Sequence, residues 1–282
     1  MGIHLIVDSC CDSTPELRDN LGFDIAPLKV QIAGGRQYVD APGIDTRQLI
    51  ADMKASKEAA ASACPAPEDF ARYMRAHDEC VVITLSSKLS GSYNSARIAM
   101  EMVREEFPAK RIYVFDSKSA SAGELRIALY IRELIDAGKS FDTVVLMTER
   151  FISEMRTLFV LEDLDNLVKN GRLSKVSGIL ASVLSLCPIL GDDGKGDIKM
   201  ISKARGNRMA LNKLVELLRE YTASAAPKSI QLVLTYCNCP GRAEGLKKSI
   251  LEHCAAIRDI VMAPTGGLST MYANDGGIIV AY

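Results

Sequence analysis

Three short apolar runs, at 3–7, 80–85 and 112–115, have strand length and β-branched content, and each breaks into a loop crowded with hydroxyls and acids. Ile3-His4-Leu5-Ile6-Val7 leads into Asp8-Ser9-Cys10-Cys11-Asp12-Ser13-Thr14. Cys80 to Leu85 leads into Ser86-Ser87-Lys88-Leu89-Ser90-Gly91-Ser92, and Ile112-Tyr113-Val114-Phe115 leads into Asp116-Ser117-Lys118-Ser119-Ala120-Ser121-Ala122-Gly123. Beyond the second loop, Ala96, Ala99, Val103 and Phe107 recur at the spacing of one helical face. Pro15 suits the first helical position after a Thr14 cap. The pattern predicts helices over 15–21, 46–59, 67–76, 93–106 and 122–137, and a strand over 24–32 followed by a Gly34-Gly35 turn. It places Ser62 on a proline-stiffened loop. This alternation predicts βαβ units, hence a parallel sheet with helices on both faces. Loops at the carboxyl ends of neighbouring strands then border one crevice, where ligands sit in open α/β sheets.

The pattern changes near residue 140. A helix over 141–155 precedes a strand over 157–161, and a helix over 164–170 stops at Gly171. Ser174 suits the cap of the apolar helix that follows. The run 191–197, rich in Asp and Gly between apolar flanks, reads as a hairpin turn, since its spacing does not fit a calcium loop. Helices over 208–221 and 241–254, strands over 229–236, 259–263 and 277–281, and a loop over 268–275 complete the chain. The fold class is α/β in two domains: 1–155, a parallel-sheet α/β/α unit, and 156–282, a two-layer α+β unit with helices over one face of its sheet.

Composition narrows the function. The 282 residues, 48% hydrophobic and 24% charged, can bury a large core. A net charge of −1 and the lack of a basic-aromatic surface argue against nucleic acid. The N-terminus lacks a leader pattern, and the apolar run 179–190 is too short and proline-broken to span a bilayer, so a cytoplasmic protein without stable membrane insertion is expected. Eight scattered cysteines fit reduced, mostly buried thiols. Cys10-Cys11, Cys237-Asn238-Cys239 and the histidines His4, His77 and His253 make no ligand spacing, so no metal is expected.

The loops suit an anion. Ser90 or Ser92 is the expected N-cap of the helix over 93–106, and free N–H groups there, with flanking hydroxyls, suit a carboxylate or phosphate. Such serines also serve merely as caps. No segment reads as a G-x-S-x-G elbow, a Walker loop or a dinucleotide G-x-G-x-x-G. Asp8, Asp12 and Asp116 can act as bases, although an Asp at a strand end more often orients its loop by accepting N–H groups. Lys88 and Lys118 hold matching places in two loops, where each can pair with an anion, although solvated surface lysines are the commoner case. Lys169, Arg172, Lys175, Lys203, Arg205 and Arg208 form either a solvated face or a docking surface.

Taken together, Asp8-Ser9-Cys10-Cys11-Asp12, Ser62 with Pro65, Ser86 to Ala96, Asp116 to Ser121 with Gly123, Asn170-Gly171-Arg172-Leu173-Ser174, Pro188-Ile189-Leu190 and Lys203 with Arg205-Gly206 resemble the DegV family of bacterial lipid-binding proteins. The resemblance implies a long-chain fatty acid in an apolar tunnel near the domain junction, and no cofactor or catalysis of the chain's own. It also implies a possible partner, the catalytic subunit of a fatty acid kinase, to which the carboxyl group is presented. On that match Ser62 and Ser90 or Ser92 hold the carboxylate, with Gly91, Ser119, Met271 and Tyr272 beside them, while Arg172 and Arg205 serve docking or the phosphoryl group. Family members with kinase roles carry a histidine where this chain has Met271; Tyr272, Ser269 or Thr270 can supply a hydroxyl instead. Two other readings are an enzyme acting on a small phosphorylated or carboxylated substrate, and a sensor whose surface responds to an acyl ligand.

Overall fold

The computed structural model describes residues 2–173 and 186–282. The expected cap at Ser174 and the helix after it lie outside the described residues. In chain order the elements are β1 (His4–Asp8), α1 (Pro15–Leu21), β2 (Phe23–Ala26), β3 (Lys29–Gln31), β4 (Gln37–Val39), α2 (Thr46–Ala55), β5 (Ala61–Ala63) and α3 (Pro67–Ala76). They continue with β6 (Glu79–Thr84), α4 (Ser92–Glu106), β7 (Arg111–Asp116), α5 (Ala122–Asp136), α6 (Phe141–Glu154), β8 (Thr157–Val160) and α7 (Asp165–Lys169). Last come β9 (Leu186–Asp192), β10 (Ile198–Arg205), α8 (Gly206–Tyr221), β11 (Ile230–Tyr236), α9 (Pro240–His253), β12 (Ile257–Pro264), α10 (Gly267–Ala273) and β13 (Ile278–Ala281).

The first half builds a parallel sheet in the order β2-β1-β6-β7. Its central strands are apolar on both faces, as a sheet covered by helices on each side requires. Thr14 caps α1 through Leu17 N–H at 3.1 Å, and Gly22 closes it in the left-handed conformation. The second half builds a mixed sheet in the order β10-β9-β8-β13-β11-β12. The 191–197 run forms the expected turn between antiparallel β9 and β10.

Alternate side chains of that sheet face opposite cores. Leu158, Val160, Leu232, Leu234, Ile278 and Val280 pack against α8 and α9. Phe159, Leu161, Val233, Ile279 and Ala281 instead share a core with α5 and the parallel sheet. The second domain's own helices α8 and α9 thus lie over one face of its sheet, and α5, buried on every side over residues 122–128, fills the space between the other face and the parallel sheet. Each of its buried Leu125, Ile127 and Ile131 side chains contributes about 1.5–3 kcal/mol.

Two local expectations are corrected. The stretch 24–32 is two strands, because Pro27 offers no N–H to continue the ladder; Leu28 N–H goes to Ser9 Oγ at 2.9 Å and the chain leaves the parallel sheet. It enters a three-stranded antiparallel sheet, β4-β3-β5, where Ser62 lies opposite Val30. Ser62 thus stands on a strand, not a loop. The stretch 268–275, expected as a loop, contains the buried helix α10.

Between β7 and α5 the chain turns so tightly that a Cβ on Gly123 would lie 2.0 Å from Ser119 Oγ and 2.5 Å from Ser119 Cβ. Gly123→Ala should cost about 1–3 kcal/mol in urea unfolding, and Ser119→Gly in the same chain should restore part of it. An additive double mutant would show that the two positions do not crowd each other.

Candidate functional site

The three hydroxyl-rich loops meet, and acids hold them. Asp8, fully buried at the end of β1, accepts Cys10 N–H at 3.0 Å and Leu85 N–H at 2.9 Å. Ser92 Oγ donates to the same Asp8 carboxylate at 2.5 Å. Asp116 accepts Ser87 N–H at 3.0 Å and Lys118 N–H at 3.1 Å, and Ser86 N–H reaches Ser119 O at 2.8 Å. Asp12 accepts Gly266 N–H at 2.7 Å and Ser121 Oγ–H at 2.5 Å. Strand-end aspartates here orient backbone, as the sequence suggested.

Asp40 completes the frame. It accepts Gly267 N–H at 2.6 Å, Leu268 N–H at 2.9 Å and Ser9 Oγ–H at 2.9 Å, fixing the start of α10 against the first loop. Burial opposes charge on Asp8, Asp12 and Asp40. It lifts Asp12 to about 7 and Asp40 to about 6, and it raises Asp8 from its ordinary value. Glu124, wholly buried on α5, is raised well above the carboxylate range by burial and by the nearby Asp8, and neither of its carboxyl oxygens finds a hydrogen-bond partner among the described residues. The Cys10 and Cys11 thiols are pushed up by burial and by these acids, so neither is a ready nucleophile.

These shifts have a sign. Raised carboxyl values mean that the folded chain binds protons more readily than the unfolded chain, so this contribution to stability is present below about pH 4 and is lost as pH climbs to about 7. Urea unfolding at pH 5 should therefore show greater stability than at pH 8, and Asp12→Asn should flatten the dependence over that interval. A wild-type profile rising from pH 5 to 8 would contradict the burial argument.

Beneath this frame lies a cavity of about 900 Å³, its open mouth included. Leu28, Leu85, Leu89, Phe159, Leu161, Leu167, Leu268 and Ile279 make most of its wall apolar. Polar groups enter it from separate elements: Ser62 on β5, Ser90 after β6, Ser119 and Ser121 before α5, Ser269 and Tyr272 on α10, and Arg172 after α7. Ser62 Oγ and Tyr272 OH face each other at 3.2 Å. Arg172 donates from Nε to Leu89 O at 3.1 Å and from Nη1 to Asn170 O at 2.6 Å, and Asn170 Nδ2 reaches Ala60 O at 2.9 Å. The segment after α7 is thereby tied to the strand of Ser62 and to the loop of Ser90.

Of the residues singled out from sequence, Ser62, Ser90, Ser119, Tyr272 and Arg172 share this cavity wall. Gly91, Ser92 and Met271 are not among its lining residues. Gly91 is the N-cap of α4, correcting the expected cap at Ser90 or Ser92; Ser92 begins the helix with its hydroxyl committed to Asp8, and Ser90 Oγ accepts Ser92 N–H at 3.2 Å. Met271 is fully buried among Leu28, Val30, Leu49 and Leu85, one residue round α10 from the side chain that enters the cavity. Arg205 is exposed where β10 meets α8. Lys118 lines the cavity, Lys88 is exposed, Lys169 pairs with Asp165 at 2.8 Å, and Lys175 lies outside the described residues. Ser121, legible in the sequence only as part of the third loop, also lines the cavity, and its hydroxyl enters the acid frame.

The histidines correct the reading of ligand spacing. His4 Nε2 lies 2.9 Å and His77 Nε2 3.8 Å from Asp24 Oδ2, a meeting made by neighbouring elements and invisible in the linear order. Their rings stack at 3.6 Å and 11°, the ligand atoms of His4, Asp24 and His77 lie within 4.8 Å of one another, and the cluster sits at the opposite end of β1 from the cavity.

Fold and site together define an α/β protein with an apolar cavity into which several elements bring hydroxyls. A family model described as "Uncharacterised protein, DegV family" matches residues 2–282, and the chain belongs to the DegV family. A DegV domain-containing protein of Streptococcus pneumoniae is 33% identical over 280 residues, covering 99% of this chain and 98% of its own. A DegV family protein from Ruminococcus gnavus, solved with vaccenic acid, superposes with a TM-score of 0.93 at 38% identity, covering 100% of this chain and 99% of that one. The Streptococcus pneumoniae Fatty Acid Kinase (Fak) B3 protein, loaded with linoleic acid, superposes with a TM-score of 0.90 at 33% identity and the same coverage. Among the described residues no helix is long and apolar enough to cross a membrane.

Proposed function

We propose that the chain is a cytoplasmic fatty-acid-binding protein that holds one long-chain fatty acid and presents its carboxylate to a separate kinase subunit. The observation that carries this reading is the Ser62–Tyr272 hydroxyl pair, 3.2 Å apart on the wall of an apolar cavity. A carboxylate bridging the two accepts a hydrogen bond from each. Ser90 stands beside them, with Arg172 supplying positive charge at the same wall. Burying a carboxylate costs several kcal/mol unless it is hydrogen-bonded, while each buried CH₂ contributes about 0.8 kcal/mol. Polar head and long tail are both needed for tight binding. The similarity to the vaccenic-acid and linoleic-acid complexes supports this assignment.

On this reading Met271 is packing, and Tyr272 fills the role assigned by resemblance to the family histidine. Arg205, exposed and away from the cavity, belongs to the surface offered to the kinase. The division near residues 155 and 156 then separates the unit carrying Ser62 and Ser90 from the unit carrying Arg172, Arg205 and Tyr272. Calorimetric titration of ligand-stripped protein with oleic acid, oleyl alcohol and methyl oleate tests the headgroup assignment. The acid should bind at least about tenfold more tightly than either neutral lipid, the worth of one charge-assisted hydrogen bond. Equal affinities would remove the carboxylate site from the account.

A further inference from the structure

Ser121 is held in a conformation that its hydrogen-bonding role alone does not require. Its φ of 56° and ψ of −115° fall outside the left-handed helical basin, where ψ is about +30 to +60°. A non-glycine residue held so costs about 1–3 kcal/mol. The turn joins β7 to the fifteen-residue helix α5, and the residues two before and two after Ser121 crowd to the 2.0 Å approach described for Ser119 and Gly123. That crowding is why a strand-to-helix elbow carrying an exposed serine demands small residues at both places. Here the pattern is Ser119-Ala120-Ser121-Ala122-Gly123, and a serine in the first small position hides it from a search for glycine.

The surrounding chemistry fits the geometry. Ser121 Oγ–H donates to Asp12 Oδ2 at 2.5 Å. Its single proton is thereby used, so Thr235 Oγ1, at 2.6 Å, is the donor in their mutual bond and fixes the serine's orientation. Asp12, at about 7, can take a proton near neutrality. Ala122 is the first residue of α5, and its N–H has no intrahelical acceptor and sits at the positive end of the helix dipole, suited to a developing oxyanion. Ser121 lines the same cavity as Ser62 and Tyr272.

The geometry points to a second activity: Ser121 is a nucleophile toward long-chain acyl groups bearing a good leaving group, such as aryl esters or thioesters, with Asp12 as its general base. This rests on the acyl-binding reading of the cavity. In acylation the bond from Oγ to the acyl carbon forms as the bond to the leaving group breaks, and the serine proton passes through Asp12 to the departing group. Water then attacks the acyl carbon, the Oγ–carbon bond breaks, and the water's proton passes through Asp12 to Oγ. Fatty acid and free serine are restored. With no histidine lining the cavity among the described residues, the leaving group must depart without strong acid assistance.

The test is intact-mass and peptide analysis after exposure of ligand-stripped protein to hexadecyl fluorophosphonate, in which the phosphorus–oxygen bond forms as phosphorus–fluorine breaks and the proton leaves with fluoride. One adduct per chain at Ser121 is expected, suppressed by excess oleic acid. Ser121→Gly, which accepts the positive φ without strain, should fold, bind oleic acid and remain unlabelled. Asp12→Asn should label about a hundredfold more slowly. A chain that binds oleic acid yet takes no label, or takes it at another residue, overturns the proposal and leaves the binding reading intact. A chain that neither binds nor labels overturns both.

Discussion

Replacing Ser62 by Ala and Tyr272 by Phe together should weaken fatty-acid binding by about a hundredfold or more, with little change in thermal stability. Each hydroxyl donates to a charged oxygen, an interaction worth about 1.5–3 kcal/mol, so each single substitution should cost between about tenfold and about a hundredfold. The two are not independent, because they share one carboxylate and lie 3.2 Å apart. The double mutant should therefore fall short of the product of the singles. Both side chains are only partly buried, and neither receives a backbone donor, so their loss leaves no N–H stranded. Oleyl alcohol provides the internal control, since its affinity should hardly move. If the double mutant bound oleic acid like the wild type, the headgroup would have to lie elsewhere on the cavity wall.

Asp8→Ala should be the most damaging single change to the fold, costing about 3–5 kcal/mol. Three donors converge on that carboxylate, from Cys10, Leu85 and Ser92, and the neutral Glu124 rests against it. Removing it leaves two N–H groups and a hydroxyl unsatisfied in the interior and frees the loops that carry Ser90 and Cys10. A melting temperature lower by roughly 10 °C or more is expected, at about 2–4 °C per kcal/mol for chains of roughly this size. Asp8→Asn should cost less, because one oxygen still accepts. Equal losses for Ala and Asn would point to the negative charge, not the hydrogen bonds, as what the site requires.

The parallel half of the molecule was legible because its strands are continuous apolar runs and its loops announce themselves with Asp, Ser and helix caps. Thr14 before Pro15, Asp116 before Ser117 and the 191–197 turn all behave as their local chemistry dictates. What escaped was set by tertiary contact. Three residues, 61–63, are too few to display a strand's alternation, so Ser62 looked like part of a loop until β3 supplied its partner. The stretch 268–275, between glycines at 266, 267, 276 and 277, looked like a loop, yet Asp12 and Asp40, from far earlier in the chain, hold Gly266, Gly267 and Leu268 and turn the stretch into a helix. That helix decides that Tyr272, not Met271, enters the cavity. Ser92 was plausible by type and position, but its hydroxyl is spent on Asp8. His4 and His77 meet only because their elements end side by side at Asp24.

The central claim is that this cavity holds a fatty acid, and the most direct test is to purify the protein, denature it, extract it and identify by mass spectrometry what is released. The account predicts a long-chain fatty acid at close to one per chain, greatly reduced in the Ser62→Ala, Tyr272→Phe double mutant. Release of no lipid, together with no binding and no gain in melting temperature when fatty acids are added, would contradict it.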